Sequence, residues 1–330
     1  MSHDDHENLH PTSRPAATSR RDKVLIRLLR WAPKRAFSTV VGFAARRPIP
    51  RALRARVYRT FAHRVGANLE EVEQDLADYP TLDAFFTRKL KPGARPISDD
   101  ADAIVCPCDG TIAESGLAGG GRLIQAKGID YRLKGLIPDP EAHARFEGGA
   151  YVTIYLAPRD YHRVHFPAEG SVNGFQHVPG AVFPVNRLAA ANIGGLFTLN
   201  ERLVTFQDSP AGEIAVVMVA ATGVGHMTVT YDAVETRRRG RGRPGERVRY
   251  GSPPSVARGG ELGAFHLGST VILLFEPGRV KLLPMALGQR VHLGEPIARR
   301  IGAPVTVGAT REAAAGASAS RGGAGSSHGR

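Results

Sequence analysis

The tripeptide Gly268-Ser269-Thr270 lies inside Phe265-His266-Leu267-Gly268-Ser269-Thr270-Val271-Ile272-Leu273-Leu274-Phe275. A Gly-Ser bond at the head of a strand-like run is a candidate for self-cleavage. Gly268 leaves the carbonyl uncrowded, and the Ser269 hydroxyl sits beside it, placed for an N-to-O acyl shift. Elimination from the resulting ester and loss of ammonia leave a pyruvoyl group at Ser269, a covalent electron sink comparable to pyridoxal phosphate. By itself the tripeptide also reads as a small-residue turn entering a strand, so its companions decide.

A serine hydroxyl is a weak nucleophile without a base. Two imidazoles occur together in Tyr155-Leu156-Ala157-Pro158-Arg159-Asp160-Tyr161-His162-Arg163-Val164-His165-Phe166-Pro167. Three residues apart, His162 and His165 face opposite sides of a strand or one side of a helical turn. Two histidines with no third ligand nearby make a weak metal site. Asp109, in Cys106-Pro107-Cys108-Asp109-Gly110, has the setting of an ordinary turn residue. Cys106 and Cys108 are the two cysteines of the chain. Their ring is too small for an easy disulfide and two ligands are too few for structural zinc, so buried reduced thiols are expected. His177, His226, His266 and His292 read as packed or solvent-facing residues.

These segments, in this order with Phe85-Phe86-Thr87-Arg88-Lys89-Leu90-Lys91-Pro92-Gly93-Ala94-Arg95-Pro96-Ile97 and Leu199-Asn200-Glu201-Arg202, closely resemble phosphatidylserine decarboxylases of the membrane-bound bacterial type. The resemblance runs from about Lys23 to Ile301. It implies a catalytic arrangement in which Asp109 charges and orients His165, and His165 deprotonates Ser269. It places His162 toward the substrate, as donor of the proton that replaces carbon dioxide. Cleavage between Gly268 and Ser269 would give a larger β chain and a smaller α chain that stay together as a heterodimer. The pyruvoyl group derived from Ser269 would be the sole cofactor, with no metal. Phosphatidylserine would become phosphatidylethanolamine plus carbon dioxide. Phe183-Pro184-Val185-Asn186 resembles a segment lining the lipid site, with Pro184 replacing a more usual small residue, and makes Asn186 a headgroup contact. His226 stands where relatives usually carry a smaller polar residue.

The elements that must position these residues fall into two textures. Lys23 to Ala45 reads as amphipathic helical material interrupted by Pro33, and Arg51 to Arg64 as a second helix ended by Gly66. Asn68, with Glu71 three residues on, predicts a capping box and a helix over roughly Leu69 to Ala77. Thr81 caps a short helix carrying Phe85 and Phe86. From about Ile104 short β-rich runs (Tyr151 to Leu156, Ile214 to Ala220, Met227 to Tyr231, Val271 to Phe275) alternate with Gly/Pro turns. The fold class is α+β: a helical, membrane-contacting N-terminal layer on a mainly β catalytic core. Helical stretches between strands are too scarce for a parallel, doubly wound sheet. Residues 1–22 and 306–330 read as disordered, 23–100 as the helical membrane-associated region, and 101–305 as the β-rich core.

The chain has 330 residues, 42% hydrophobic, and a formal net charge of +13. Basic residues concentrate in the first sixty positions among Trp31, Phe37 and Phe43, which suits anionic lipid better than nucleic acid, and no nucleic-acid-binding signature occurs. The longest uncharged run there, Ala36 to Ala45, is about half the ~20 residues a membrane-spanning helix needs. A surface-lying helix with snorkelling arginines fits better. No secretory signal is evident, so the expected location is the cytoplasmic membrane, peripheral, on its cytoplasmic face. The basic stretch Thr236 to Arg258 reads as a solvated loop, or as a phosphate-contacting patch. A further homo-oligomer is left open. Two rival functions are a pyruvoyl decarboxylase of a soluble amino acid and a non-catalytic basic protein binding membrane or nucleic acid. The second predicts no cleavage and no dependence on Ser269.

Overall fold

In the computed structural model the described residues are 34–126, 128–222, 226–234, 236, 245–266 and 268–302, with the side chains of 34–39 excepted. The readings made for 1–33, 303–330 and the arginine run 237–243 lie outside them. The α+β expectation holds: a small helical layer precedes a core built from antiparallel sheets.

Helix α1 (Lys34–Ala45) is followed by α2 (Arg51–Val65), which ends at Gly66, and by α3 (Leu82–Phe86), capped by the Thr81 hydroxyl. This layer has its own core. Tyr58 stacks on Phe85 at 4.6 Å between ring centres, and its hydroxyl donates to the Tyr79 carbonyl at 2.8 Å. The helix expected over Leu69 to Ala77 does not form; only a 3₁₀ turn occurs, at Leu76–Asp78. The reason lies in the partners. The Glu71 carboxylate is bound by Arg95, so it does not close a capping box on Asn68. Backbone groups of 71–73 and 89–91 pair instead, through a Val72–Leu90 bridge and the Glu73–Lys89 and Lys91–Glu71 hydrogen bonds.

The core strands are β1 (Ala103–Val105), β2 (Gly110–Leu117), β3 (Arg122–Ala126), β4 (Ile129–Arg132), β5 (Ala150–Leu156), β6 (Arg163–His165), β7 (Gly170–Val178), β8 (Arg202–Ser209), β9 (Gly212–Ala220), β10 (Met227–Val229), β11 (Arg247–Arg249), β12 (Ser255–Val256), β13 (Glu261–Phe265), β14 (Ser269–Phe275), β15 (Val280–Leu282), β16 (Arg290–Val291) and β17 (Pro296–Arg300). Nine of them form one sheet in the order β11-β7-β8-β9-β14-β5-β2-β16, with β12 beside β7. β10-β13-β6 and β1-β17-β15 form two smaller sheets, and β3-β4 a hairpin.

Strand β14 is central in the large sheet, paired with β9 on one side and β5 on the other. Both faces of this region are covered. Val271, Leu273 and Phe275 enter one core with Leu156, Met218 and Ala220, and Ile272 and Leu274 enter a second with Tyr151 and Val217. A strand buried on both faces gains from apolar residues at every position. That explains the unbroken run Val271-Ile272-Leu273-Leu274-Phe275.

Candidate active site

Ser269 is the first residue of β14, in register with Leu156 and Ala220, and is fully buried. Strand alternation turns its side chain into the same core as Val271, where its hydroxyl has no hydrogen-bond partner among the described residues. Such an orphan is uncommon in a protein interior and costs about 1–3 kcal/mol. Gly268 holds φ at 63°, in the left-handed region that glycine enters without strain. The nearest atoms to an added Cβ would be 3.7 and 3.8 Å away, so backbone conformation and not space selects glycine.

The two histidines have different surroundings. Val164 enters the large core, and His162, just before β6, is fully buried, with its carbonyl accepting the Phe265 N–H at 2.9 Å. His162 Nδ1 lies 2.8 Å from the Asp160 carbonyl, so Nδ1 carries the proton and donates it. Burial above all, with Arg88 assisting, pushes its pKa down to about 3, against the opposing pull of the Asp160 carbonyl and Asp109. The ring is therefore neutral at ordinary pH, and its Nε2 presents a bare lone pair with no hydrogen-bond partner among the described residues. The Phe86 ring packs on it at 4.0 Å.

His165 is turned the other way. Its Nδ1 donates to the Gly259 carbonyl at 2.8 Å, and its Nε2 accepts from the Tyr161 hydroxyl at 3.2 Å. Burial lowers its pKa too. Asp109 is close in chain terms, since the His165 N–H donates to the Pro107 carbonyl at 2.7 Å. Its carboxylate is nevertheless held elsewhere. Arg95 Nη2 and Nε bind it at 2.6 and 2.8 Å, and the Leu293 N–H donates at 3.0 Å. The structure thus brings Asp109 and His165 into adjoining segments without an Asp109–His165 hydrogen bond, and His165 makes none to Ser269. Gly110 follows Asp109 because a Cβ there would meet the Tyr155 carbonyl at 2.7 Å.

Asp109 and Tyr161 line a cavity of about 260 Å³ with Arg88, Arg95, Arg159 and Asp160; Ser269 does not line it. The Gly-Ser bond and this polar cavity are therefore separate places, and the bond is the better guide to function. Asn186 is exposed at the start of a short helix (Arg187–Ala190), where its Oδ1 accepts the Ala189 N–H at 2.9 Å. That is a capping role, whatever else the side chain touches. Cys106 and Cys108 are buried free thiols, as expected, and burial pushes the Cys108 pKa up.

Sequence reasoning missed two partners of the site. Arg95, the residue that holds Asp109, carried no signal beyond its place in Pro92-Gly93-Ala94-Arg95-Pro96. His266, set aside as a packing residue, binds the Asp83 carboxylate through Nδ1 at 2.9 and 3.0 Å, three positions before Ser269. Its nearness to the Gly-Ser bond was the available signal.

Residues 82–299 match the sequence model of the family described as phosphatidylserine decarboxylase. A phosphatidylserine decarboxylase proenzyme of Myxococcus xanthus is 47% identical over 259 residues, covering 78% of this chain and 91% of its own. One from Anaeromyxobacter sp. is 47% identical over 277 residues, covering 84% and 98%. One from Brevibacillus brevis is 36% identical over 281 residues, again covering 84% and 98%. With the match spanning both histidines, Asp109 and the Gly-Ser bond, this chain belongs to the phosphatidylserine decarboxylase family.

Proposed function

We propose that the chain is a proenzyme that cuts itself between Gly268 and Ser269 and then decarboxylates phosphatidylserine to phosphatidylethanolamine at an anionic membrane surface. The observation that carries this reading is the buried, unpartnered Ser269 hydroxyl behind a left-handed Gly268, in a chain of this family. A small hydroxyl in a water-poor setting suits the acyl shift, because water would otherwise compete for the ester. Cleavage proceeds by attack of Ser269 Oγ on the Gly268 carbonyl carbon as the C–N bond breaks and the serine nitrogen takes the proton. Loss of the Cα proton and of the Gly268 carboxylate from Cβ, tautomerisation and hydrolysis with release of ammonia complete it. The pyruvoyl group so formed at Ser269 supplies the electron sink for loss of carbon dioxide.

In this reading His165 is the base for Ser269, and Asp109 supports it electrostatically. The neutrality of His165 favours the role, since a protonated ring could not accept the hydroxyl proton. His162 handles the turnover proton at Nε2, the one ring nitrogen not fixed by Asp160. Nε2 is the ring nitrogen from which a proton would be passed to the carbon that loses carbon dioxide. The reversed division has support of its own, because the buried His162 Nε2 has no hydrogen-bond partner among the described residues.

Freshly purified wild-type chain should run as two fragments on a denaturing gel, with a blocked N-terminus on the smaller by mass spectrometry. Ser269→Ala should remain a single inactive chain of 35.3 kDa. His165→Ala and Asp109→Ala should accumulate precursor. His162→Ala should mature and then turn over slowly, by about 10²–10⁴-fold, the usual worth of general acid–base catalysis. Efficient cleavage of Ser269→Ala would sink the reading. Cleavage blocked in His162→Ala but normal in His165→Ala would reverse the histidine roles.

Membrane association is peripheral in this proposal, on the cytoplasmic face of the cytoplasmic membrane. Val40 and Phe43 of α1 and Leu53 and Val57 of α2 are exposed apolar side chains among arginines, and they suit insertion at a lipid interface. No described helix is long and apolar enough to cross a membrane.

A further inference from the structure

Residues 266 to 269 are anchored at their two ends. Downstream, Ser269 is locked into β14 with a strand on either side. Upstream, the His266 N–H donates to the His226 carbonyl at 3.1 Å, and the two imidazole rings lie 4.4 Å apart. The His266 side chain binds both oxygens of Asp83 through Nδ1. Asp83 belongs to α3 in the helical layer, 183 residues away in sequence, and both side chains are only 18% exposed.

The same short helix also fixes the histidine segment. Phe86 covers the His162 ring, and the Thr87 carbonyl that ends α3 accepts Arg163 Nε at 2.8 Å. α3 therefore touches the histidine segment and the upstream end of the Gly-Ser bond at once. Between His266 and Ser269 only residues 267 and 268 lie, and Gly268 is the residue held at positive φ.

We propose that Asp83 and His266 form a positioning clamp for self-cleavage: the helical layer grips His266 through Asp83, and this holds the Gly268 carbonyl against the Ser269 hydroxyl. The clamp acts before the acyl shift, and neither residue transfers a proton. The inference rests on the self-cleavage reading and goes beyond it by assigning the N-terminal layer a part in maturation. A scissile bond displaced by about 1 Å loses on the order of 10²-fold in rate. Releasing one end should therefore slow cleavage without abolishing it.

The test follows cleavage of the full chain by denaturing gel after synthesis in a cell-free system, with and without hydroxylamine, which cuts the ester formed by the acyl shift. Asp83→Ala and His266→Leu should each slow cleavage by roughly 10- to 100-fold. The double variant should be no slower than the slower single one, as expected for two groups acting through one contact. His266→Asn, which restores a donor near the Nδ1 position and lacks Nε2, should recover most of the rate. Hydroxylamine should release no extra fragment from the slow variants, because the lost step precedes the ester. Ser269→Ala forms of each variant, which cannot cleave, report folding through their melting temperatures. Wild-type rates in both single variants would overturn the clamp, as would multiplicative losses in the double. A His266→Asn variant as slow as His266→Leu, or ester accumulating in any of them, would give His266 a chemical role in place of a positional one. A wild-type chain that never cleaves would instead defeat the reading on which the clamp rests.

Discussion

Burial of His162 makes part of this fold's stability depend on pH. Its native pKa, pushed down to about 3 by burial, lies below the ordinary histidine value of about 6.5. Between those values the unfolded chain binds a proton that the native chain refuses, so stability rises with pH and is lost as pH falls from about 6.5 toward 3. The slope is at most about 1.4 kcal/mol per pH unit from this group. In the uncleavable Ser269→Ala background, lowering pH from 6.5 to 5 should depress the melting temperature more steeply with His162 present than with His162→Gln. Parallel curves would show that His162 is not buried neutral. That the two histidines face apart was legible in Tyr161-His162-Arg163-Val164-His165 as one of two options, opposite sides of a strand or one side of a helical turn, and the pairing of 163–165 with β13 decides between them. The grip of Arg95 on Asp109 was not legible, because it joins residues 14 apart across the boundary between the helical layer and the core. Local pattern carries facing; it does not carry which charge a buried carboxylate meets.

At the scale of elements, the helices read correctly were those whose ends are set locally. Thr81 caps α3, and Gly66 closes α2, with its N–H on the Ala62 carbonyl at 2.8 Å. The segment after Asn68 failed because its capping glutamate had a stronger partner in Arg95 and its backbone found an edge at 89–91. Charge-assisted pairing outweighs a capping box worth about 1 kcal/mol. The exposed side of α2 carries the membrane proposal. Leu53 and Val57 are one turn apart and exposed, with Arg56 and Arg59 close by. Burying such side chains in the interface is worth up to about 1.5–3 kcal/mol each, and basic residues near anionic lipid about 1 kcal/mol each. Leu53→Glu combined with Val57→Glu should therefore weaken sedimentation with vesicles rich in anionic phospholipid by at least about tenfold. Deletion of residues 1–47 should do the same and leave self-cleavage largely intact, since Asp83 and α3 remain. Salt should weaken wild-type binding by screening exposed charges. Salt-insensitive binding, or full binding by the double variant, would place the membrane contact elsewhere.

Across the whole molecule, the Gly268-Ser269 bond divides the sequence near its end but does not divide the fold. The segment after it supplies β14, which lies between β9 and β5, and also β16 and β17, which pair with β2 and β1. A doubly wound parallel sheet was correctly disfavoured from the scarcity of helices, whereas this weaving was not legible. Strand order depends on long-range pairing, and the apolar runs at 214–220 and 271–275 are consistent with many neighbours. The weave fixes what the proposed cleavage would do. Val271, Ile272, Leu273, Leu274 and Phe275 are all fully buried. At about 1.5–3 kcal/mol for each of these five side chains, β14 would hold the smaller fragment by roughly 8–15 kcal/mol, comparable with the whole stability of a typical domain, before its hydrogen bonds are considered. The cleaved protein should elute from a sizing column in native buffer as one species of the same size as uncleaved Ser269→Ala. Its fragments should separate only in denaturant at concentrations that also unfold the sheet, followed by tryptophan-independent far-ultraviolet circular dichroism. Phe275→Ala, expected to cost about 3–5 kcal/mol as a core truncation, should lower that concentration in cleaved and uncleaved protein alike. Release of the small fragment in native buffer, with the circular dichroism of the remainder unchanged, would mean that β14 is not the strand that binds the two chains together.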